Sequence, residues 1–369
     1  MNVKTLHLFN PEHDIALATN LTNFTAPHAA RQLADDLGFL PALWAADGDG
    51  VLVSDEDYAR KALRRFRRGS HMQVAEPLWV TPHTLATTDV EAIEPWGWDA
   101  ALRSRLVRYG ARQALLPSLD MLDEVRLLSH RDTARRLLSA LRMEGTVGES
   151  FLCTAEEAVE AVRRDYSHIV LKAPWSSSGR GIRFVSGPLS DHQRGWLANL
   201  LRQQGAVMAE PYYNKVKDFG MEFEADGRGG VRYLGLSLFH TTNGAYTGNV
   251  LATEAEKRRM LGRYISLDLL DAVCQRIVDN IRLGSYHGPF GIDMMVVNGT
   301  TDKVQSSQFK VQSSKSNVLH PCVELNLRRT MGHVALALSP DDDDLRKVMR
   351  VHYDGTIYRL RTMSLTIEH

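Results

Sequence analysis

The sequence predicts an α/β protein, with a doubly wound N-terminal domain followed by a second unit in which strands and helices mix. Three observations carry that prediction. Strand and helix signals alternate from Val3 to about Met121, the pattern of parallel strands joined by crossover helices. Helix signals restart near Ser129 and lead into short apolar strands. The run Ile169 to Val185 then sets a strand lysine, a Ser/Gly turn and a second strand in immediate succession. With 369 residues and 44% hydrophobic content, the chain can bury sizeable cores in two or three units.

Val3 to Phe9 reads as the first strand, ending at Asn10-Pro11, with Glu12, His13 and Asp14 before a helix-like Ile15 to Thr19. Ligands of open α/β sheets sit at the carboxyl ends of strands, which makes Asn10, His13 and Asp14 candidate substrate contacts. The competing reading is that Asn10 and Asp14 only cap a helix. Thr25 and Pro27 open a helix through Leu37, Val51 to Val53 is a strand, and Ser54 with Asp57 predicts a capping box for a helix from Tyr58 to Arg68. That helix carries Arg60, Lys61, Arg64, Arg65, Arg67 and Arg68 but one aromatic, Phe66, and reads as a solvated face rather than a stacking surface for nucleic acid. No Gly-x-Gly-x-x-Gly or Walker loop occurs in this third, which argues against a dinucleotide site of the usual kind.

The second unit begins with a helix from Arg131 to Leu141, and Thr154 with Glu157 predicts a capping box for a helix to Arg164. Ile169, Val170 and Leu171 have the character of a buried strand, yet run into Lys172, and a buried ammonium needs an anion. Pro174 and Trp175 stop the strand. Ser176, Ser177, Ser178, Gly179, Arg180 and Gly181 can then turn tightly and present backbone N–H groups, as a phosphate-binding nest does. A plain hairpin, its lysine guarding an edge strand, is the alternative.

Beyond a helix from Gln193 to Gln203, the strand Val207 to Pro211 stops at the carboxylate of Glu210 and a proline, which suits a hinge. Met221 to Ala225 and Val231 to Phe239 predict a hairpin across Asp226 to Gly230, and His240 to Asn249 reads as a polar loop. Leu267 to Leu283 is an amphipathic helix, Pro289 to Val297 and Cys322 to Leu327 are strands, and Met331 to Leu338 is a helix. Residues 298–317, rich in Ser, Gln and Lys, are expected to be a mobile insert. The tail from Asp341 predicts a helix start at four acidic residues and then a hairpin over Tyr353-Asp-Gly355.

Strict alternation from Cys322 to Arg328 places Glu324, Asn326 and Arg328 on one strand face. Asp293, before the apolar Met294 to Val297, is a second carboxylate in a buried-type strand and needs a cation. Asp293, Glu324 and Asn326 are hard oxygen donors of the kind that suit Mg²⁺, and Arg328 would then face a transferring phosphate. The alternative is a half-buried strand with its wet face outward. A zinc site from His320, Cys322 and His333 fits no familiar spacing.

In this order and spacing, Lys172, the Ser/Gly loop, Glu210, Asp293 and the Glu-Leu-Asn-Leu-Arg row resemble the ATP-grasp superfamily over roughly Ser129 to Pro340. The resemblance implies a two-lobed clasp, with residues 129–210 as lid lobe and 211–340 as core lobe, after an N-terminal domain over 1–128 and before a tail over 341–369. It also implies ATP and Mg²⁺ as cofactors. Arg131 and Lys172 would hold phosphates, with the loop from Ser176 to Gly181 closing over them. Glu210 and the backbone of Tyr212 would meet adenine, and Asp293, Glu324 and Asn326 would bind magnesium. Arg328 would stabilise an acyl phosphate or its tetrahedral adduct. Departures from the family pattern are aspartate at 293 where glutamate is more frequent, arginine at 131 where lysine is common, and the insert after Asn298.

The function so implied is an ATP-dependent ligase, with Lys172 and Arg328 catalytic, joining a small carboxylate to an amine. Asn10, His13, Asp14, His240 and Tyr246 are candidate acceptor contacts. A small-molecule kinase on the same clasp and a nucleotide-binding module without turnover are the alternatives. Lys plus Arg and Asp plus Glu both total 44, a balance that argues for neither nucleic acid nor an anionic membrane as partner. No apolar run approaches a membrane helix, Met1 to Phe9 lacks a signal-peptide core, and Cys153, Cys274 and Cys322 are odd in number and scattered. The expected location is the cytoplasm.

Overall fold

The computed structural model describes residues 2–176, 181–242, 245–299 and 317–364. The chain starts with β1 (Asn2–Leu8), α1 (His13–Thr19), α2 (His28–Asp36), β2 (Gly50–Leu52), α3 (Glu56–Ser70), β3 (Leu78–Val80), β4 (Asp89–Pro95) and α4 (Ala100–Arg108). The four strands are parallel, in the order β3-β2-β1-β4. Apolar residues cover both sheet faces: Val3, Leu6 and Ile93 pack with Leu102 and Leu106 of α4, while Val51 packs with Leu63 and Phe66 of α3. Burial on two faces is what makes this sheet doubly wound.

The start of α3 differs from the sequence expectation. Asp55, not Ser54, is the cap, its carboxylate accepting the Tyr58 N–H at 2.9 Å, while the Ser54 hydroxyl donates to Asp35. The two residues are both good caps, and only the backbone turn chooses between them. On its basic face, Arg60 and Arg67 both grip Glu76.

Next come α5 (Leu119–Leu128), α6 (Arg131–Ala140), β5 (Phe151–Cys153), α7 (Glu156–Asp165), β6 (His168–Lys172), β7 (Ile182–Ser186), α8 (Asp191–Gln204) and β8 (Val207–Pro211). The strands form an antiparallel sheet, β5-β8-β6-β7, whose Ile169, Leu171, Val185 and Val207 pack under Val159 and Val162 of α7 and Leu197 and Leu200 of α8. The box expected from Thr154 and Glu157 is not formed, because α7 starts one residue later behind Ala155, with no side-chain cap. A box does form at α8, between Ser190 and Gln193.

The remainder is β9 (Lys215–Asp226), β10 (Val231–Ser237), β11 (Phe239–Thr242), β12 (Ala245–Leu251), α9 (Glu254–Leu261), α10 (Leu267–Asn280), β13 (His287–Val297), β14 (Val318–Asn326), α11 (Met331–Leu338), β15 (Lys347–Tyr353) and β16 (Tyr358–Ser364). One antiparallel sheet, β10-β9-β13-β14, holds the largest core, with Phe219, Phe223, Phe290 and Ile292 against Leu137 of α6 and Val273 and Ile277 of α10. The other is β11-β12-β15-β16.

The expected polar loop from His240 to Asn249 is therefore a correction: most of it is a strand pair, held because β12 gains a partner in β15, a century of residues downstream. Local polarity hid a strand that long-range pairing stabilises. No helix starts at Asp341 to Asp344, which are exposed and have no apolar stripe to bury. The hairpin over Tyr353 to Gly355 is present, with Gly355 at φ 95° and the Asp354 carboxylate accepting two backbone N–H groups. Met349 and Leu360 bring this tail into the core that also holds Val51 and Phe66. Ser177, Ser178, Gly179 and Arg180 lie outside the described residues, as does 300–316 of the expected insert.

Candidate functional site

Two strand ends and one helix start meet at a cleft. Lys172 closes β6 and Glu210 lies on the neighbouring β8, where the register pairs Val170 with Glu210 and Lys172 with Met208. The ammonium, in a residue only 7% exposed, finds its anion there: Nζ lies 2.5 Å from Glu210 Oε2. Arg131 is the first residue of α6, and its guanidinium donates to the Ala173 carbonyl at 2.7 Å, to Ser176 Oγ at 2.9 Å and to Glu324 Oε1 at 2.5 Å. One side chain thus joins the start of the Ser/Gly loop to a carboxylate 193 positions away.

The acidic row is set by the pairing of β13 with β14, which places Asp293 opposite Glu324 and Gly291 opposite Asn326. The Asn326 amide donates to Asp293 Oδ2 at 3.3 Å, and its oxygen accepts from Arg328 at 3.0 Å. Arg328 makes a two-pronged pair with Asp14, both bonds 2.9 Å. Burial would lower the basicity of Arg328, but Asp14, Glu324 and Asp293 outweigh it and hold the charge firmly. Burial likewise opposes the charge on Asp14, and Arg328 overcomes it, pulling that carboxyl below its usual range.

Asp293 behaves in the opposite way. Burial, then Glu324 and Glu222, push its carboxyl up from 3.8 to about 8. The folded protein therefore keeps a proton that the unfolded chain has shed, so ligand-free stability should fall as pH rises through this window and level off above it. Thermal melts in chelator should show that decline, and Asp293→Asn should flatten it; an unchanged slope in the variant would assign the effect elsewhere.

Glu222 is the residue that sequence reasoning missed. It lies on β9 opposite Gly291, is 3% exposed, and its carboxylate accepts from Thr330 Oγ1 at 2.8 Å and meets His333 Nδ1 at 3.0 Å. The available signal was one carboxylate between Met221 and Phe223 in a core strand. Its space depends on a glycine, since a Cβ at Gly332 would stand 1.8 Å from Glu222 Oε1. Gly332→Ala should destabilise by about 1–3 kcal/mol despite the higher helix propensity of alanine, because overpacking outweighs it. Denaturant unfolding checks the sign, and a stabilised variant would refute the clash.

Asn10, 1% exposed, braces the strand ends instead of opening onto the cleft, while His13, equally buried, lines the space between Asp14, Arg131, Ser176 and Glu324. Asn10 bonds Gly97 and Asp99, and His13 Nδ1 lies 3.2 Å from Asp99. Neither Asn10 nor Asp14 caps α1, whose cap position is Glu12. The Tyr246 hydroxyl donates to Asn249, and burial, then Glu222, raises its pKa, which sets Tyr246 beside the acidic cluster. His240 is lowered by burial, then by Lys217 and Arg350. Tyr212 is half exposed beside Phe184, and its N–H already bonds the His168 carbonyl at 2.9 Å.

Cys322 of β14 feels charges from both antiparallel sheets: burial raises its thiol, Glu210 of β8 and Asp293 of β13 raise it further, and Lys172 of β6 opposes them. His320, next to it, is pushed down to about 3 by burial and Lys172. His320 packs edge-on to Tyr213, and His333 belongs to Glu222 and Thr330, so His320, Cys322 and His333 do not form a zinc site. Among the described residues, no three His, Cys, Asp or Glu groups form a metal cluster. Between Asp14, Arg131, Ser176 and Glu324 only about 20 Å³ remains, room for a water and little more. The charged groups are closed on one another.

Fold and cleft together define a two-lobed α/β clasp attached to a parallel-sheet domain. No family model matches the sequence, and no curated protein matches it. Among solved structures, the chain is similar to N5-carboxyaminoimidazole synthetase from Staphylococcus aureus complexed with ADP, at 12% identity and TM-score 0.47, covering 95% of this chain and 83% of that one. It is also similar to a biotin carboxylase–beta-gamma-ATP complex from Campylobacter jejuni, at 13% identity and TM-score 0.48, covering 95% and 75%. A third is an Archaeoglobus fulgidus chain described as an ATP-grasp superfamily protein, at 13% identity and TM-score 0.45, covering 98% and 100%.

Proposed function

We propose that this protein is an ATP-dependent ligase that activates a small carboxylate as an acyl phosphate for attack by an amine, releasing ADP and phosphate. The observation that carries this reading is the Arg131 bridge, which joins Ala173 and Ser176, where the Ser/Gly segment starts, to Glu324 of the acidic row. Residues 129–210 and 211–340 would be the lobes of the clasp, 1–128 the domain beside it and 341–369 the tail.

In this reading, Arg131 and Lys172 exchange the carboxylates of Glu324 and Glu210 for phosphate oxygens, an exchange of one anion for another at buried cations. Glu210, released, and the edge near Tyr212 would receive the adenine. Ser176 and Gly181 flank the loop that would cover the phosphates. Asp293, Glu324 and Asn326 suit magnesium by their hard oxygens, and the raised Asp293 carboxyl marks a cluster short of positive charge. When bound, the ion would neutralise phosphate charge. Arg328, held charged and aligned by Asp14, would orient the reacting carboxylate and spread charge on the transferring phosphoryl group. His13 and Asp14 line the same space, with Tyr246 and His240 as further candidate contacts.

The acid's oxygen bonds to the γ-phosphorus as the bond to the bridging oxygen breaks, ADP taking that electron pair. The amine nitrogen then bonds to the acyl carbon, phosphate leaves with the C–O pair, and the amine's proton passes to solvent. Positioning and charge supply most of the rate. No helix among the described residues is long and apolar enough to cross a membrane, and all three cysteines are free, which supports a reducing, cytoplasmic setting.

The test is a screen of amino acids, dipeptides and dicarboxylates for phosphate release from magnesium and ATP, repeated with hydroxylamine. A hydroxamate that depends on the acid is expected. A stable phosphorylated product would establish a kinase instead, and nucleotide bound with no ADP formed under any acid and amine pair would leave a binding module.

A further inference from the structure

The parallel sheet has its own crevice, separate from the cleft. In the strand order β3-β2-β1-β4, successive crossovers run from β1 toward β3 on one side, while β4 lies on the other side of β1. That reversal is a topological switch point, where open α/β sheets bind ligands beyond the carboxyl ends of their strands. Here the ends of β1 and β4 lead directly to Glu12 and Asp99, and both line a cavity of about 250 Å³ between α2 and α4. One ordered water needs only roughly 10–15 Å³, so the space suits a small organic molecule.

Its charges are unevenly satisfied. Asp99 is consumed by the Leu102 N–H at 2.8 Å, His13 at 3.2 Å and Asn10 at 3.4 Å. Glu12 is 7% exposed, and one oxygen pairs with Arg105 at 2.9 Å. Its other oxygen, Oε2, is buried with no partner. A buried carboxylate oxygen without a donor is costly, and a turn of the Glu12 carboxylate toward the cavity would let a ligand ammonium satisfy it. Arg31 and Arg108, which also line the cavity, are exposed, and their side chains donate to the Ala26 carbonyl and the Ser104 hydroxyl. Neither has a carboxylate partner among the described residues.

We infer that this cavity binds a small zwitterion of the amino-acid class, its ammonium on the Glu12 carboxylate and its carboxylate on Arg31 and Arg108. The site stands apart from the nucleotide cleft and does not depend on the ligase reading. Phe24 supplies the apolar wall beside the ligand's carbon chain.

Calorimetry and thermal shift on the full chain without nucleotide test it, using L-alanine, L-glutamate and N-acetyl-L-glutamate as probes. L-Glutamate should bind and raise the melting temperature, L-alanine should bind more weakly, and the acetylated probe, lacking the ammonium, should not bind. Glu12→Gln should weaken L-glutamate by at least about tenfold, the loss of one charge-assisted hydrogen bond. The exposed double variant Arg31→Met, Arg108→Met should do the same and decides the matter if Glu12→Gln fails to fold. The double variant Lys172→Met, Glu210→Gln should leave this binding unchanged. Equal binding of the acetylated probe, no binding of either amino acid at millimolar concentration, or loss of binding in that folded double variant would each overturn the assignment.

Discussion

If the proposed ligase chemistry holds, Lys172→Met is expected to reduce ATP-dependent phosphate release by at least about a thousandfold, because the variant loses the buried cation assigned there to the transferring phosphates. It should also lose about 3–5 kcal/mol of stability. Glu210 Oε2 lies 2.5 Å from Nζ in a buried pair, and removing one partner strands the other charge. The two effects separate in Lys172→Met, Glu210→Gln, which removes both charges. Stability should return toward the parent while turnover stays lost. Chemical denaturation and a phosphate-release assay read the two quantities independently. Full activity in the double variant would remove Lys172 from the chemistry, and a single variant as stable as the parent would contradict the buried pair.

Arg328→Ala should cost about a hundred- to a thousandfold in turnover, the scale for one preorganised donor at developing charge. Asp14→Asn tests how Arg328 is held. The amide keeps the shape but loses the charged fork, so turnover should fall by about tenfold, well short of removing the arginine. In the double variant the losses should be far from additive, since Asp14 acts through Arg328. Additive losses would mean that Asp14 has a separate task, and unchanged turnover in Arg328→Ala would exclude it from the reacting centre.

Where local periodicity carries information, the chain was legible. Alternation from Cys322 to Arg328 predicted one strand face for Glu324, Asn326 and Arg328; β14 ends at Asn326, so the two-residue repeat holds for Glu324 and Asn326 while Arg328 lies just past the strand. The strand Val207–Pro211 and the helix Met331–Leu338 have the bounds that their apolar runs and stops predict. Polar strands were the weak point. Thr241, Tyr246 and Asn249 look like loop residues until β15 arrives to pair with β12. Glu222 escaped for a related reason, because a single carboxylate in an apolar strand signals nothing until Gly291 and Gly332 are seen to make room for it.

The sequence by itself determined the apolar strands and amphipathic helices, the shared face of Glu324 and Asn326, and the presence of a strand lysine before a turn rich in small residues. Those follow from steric and hydrophobic periodicity over a few neighbours. Only the tertiary structure decided the partners: Lys172 with Glu210, Arg131 with Glu324 across 193 positions, and Arg328 with Asp14 across 314. Pairing between charges depends on distance in space and on the dielectric around them, and neither quantity is encoded in the spacing of residues along a chain.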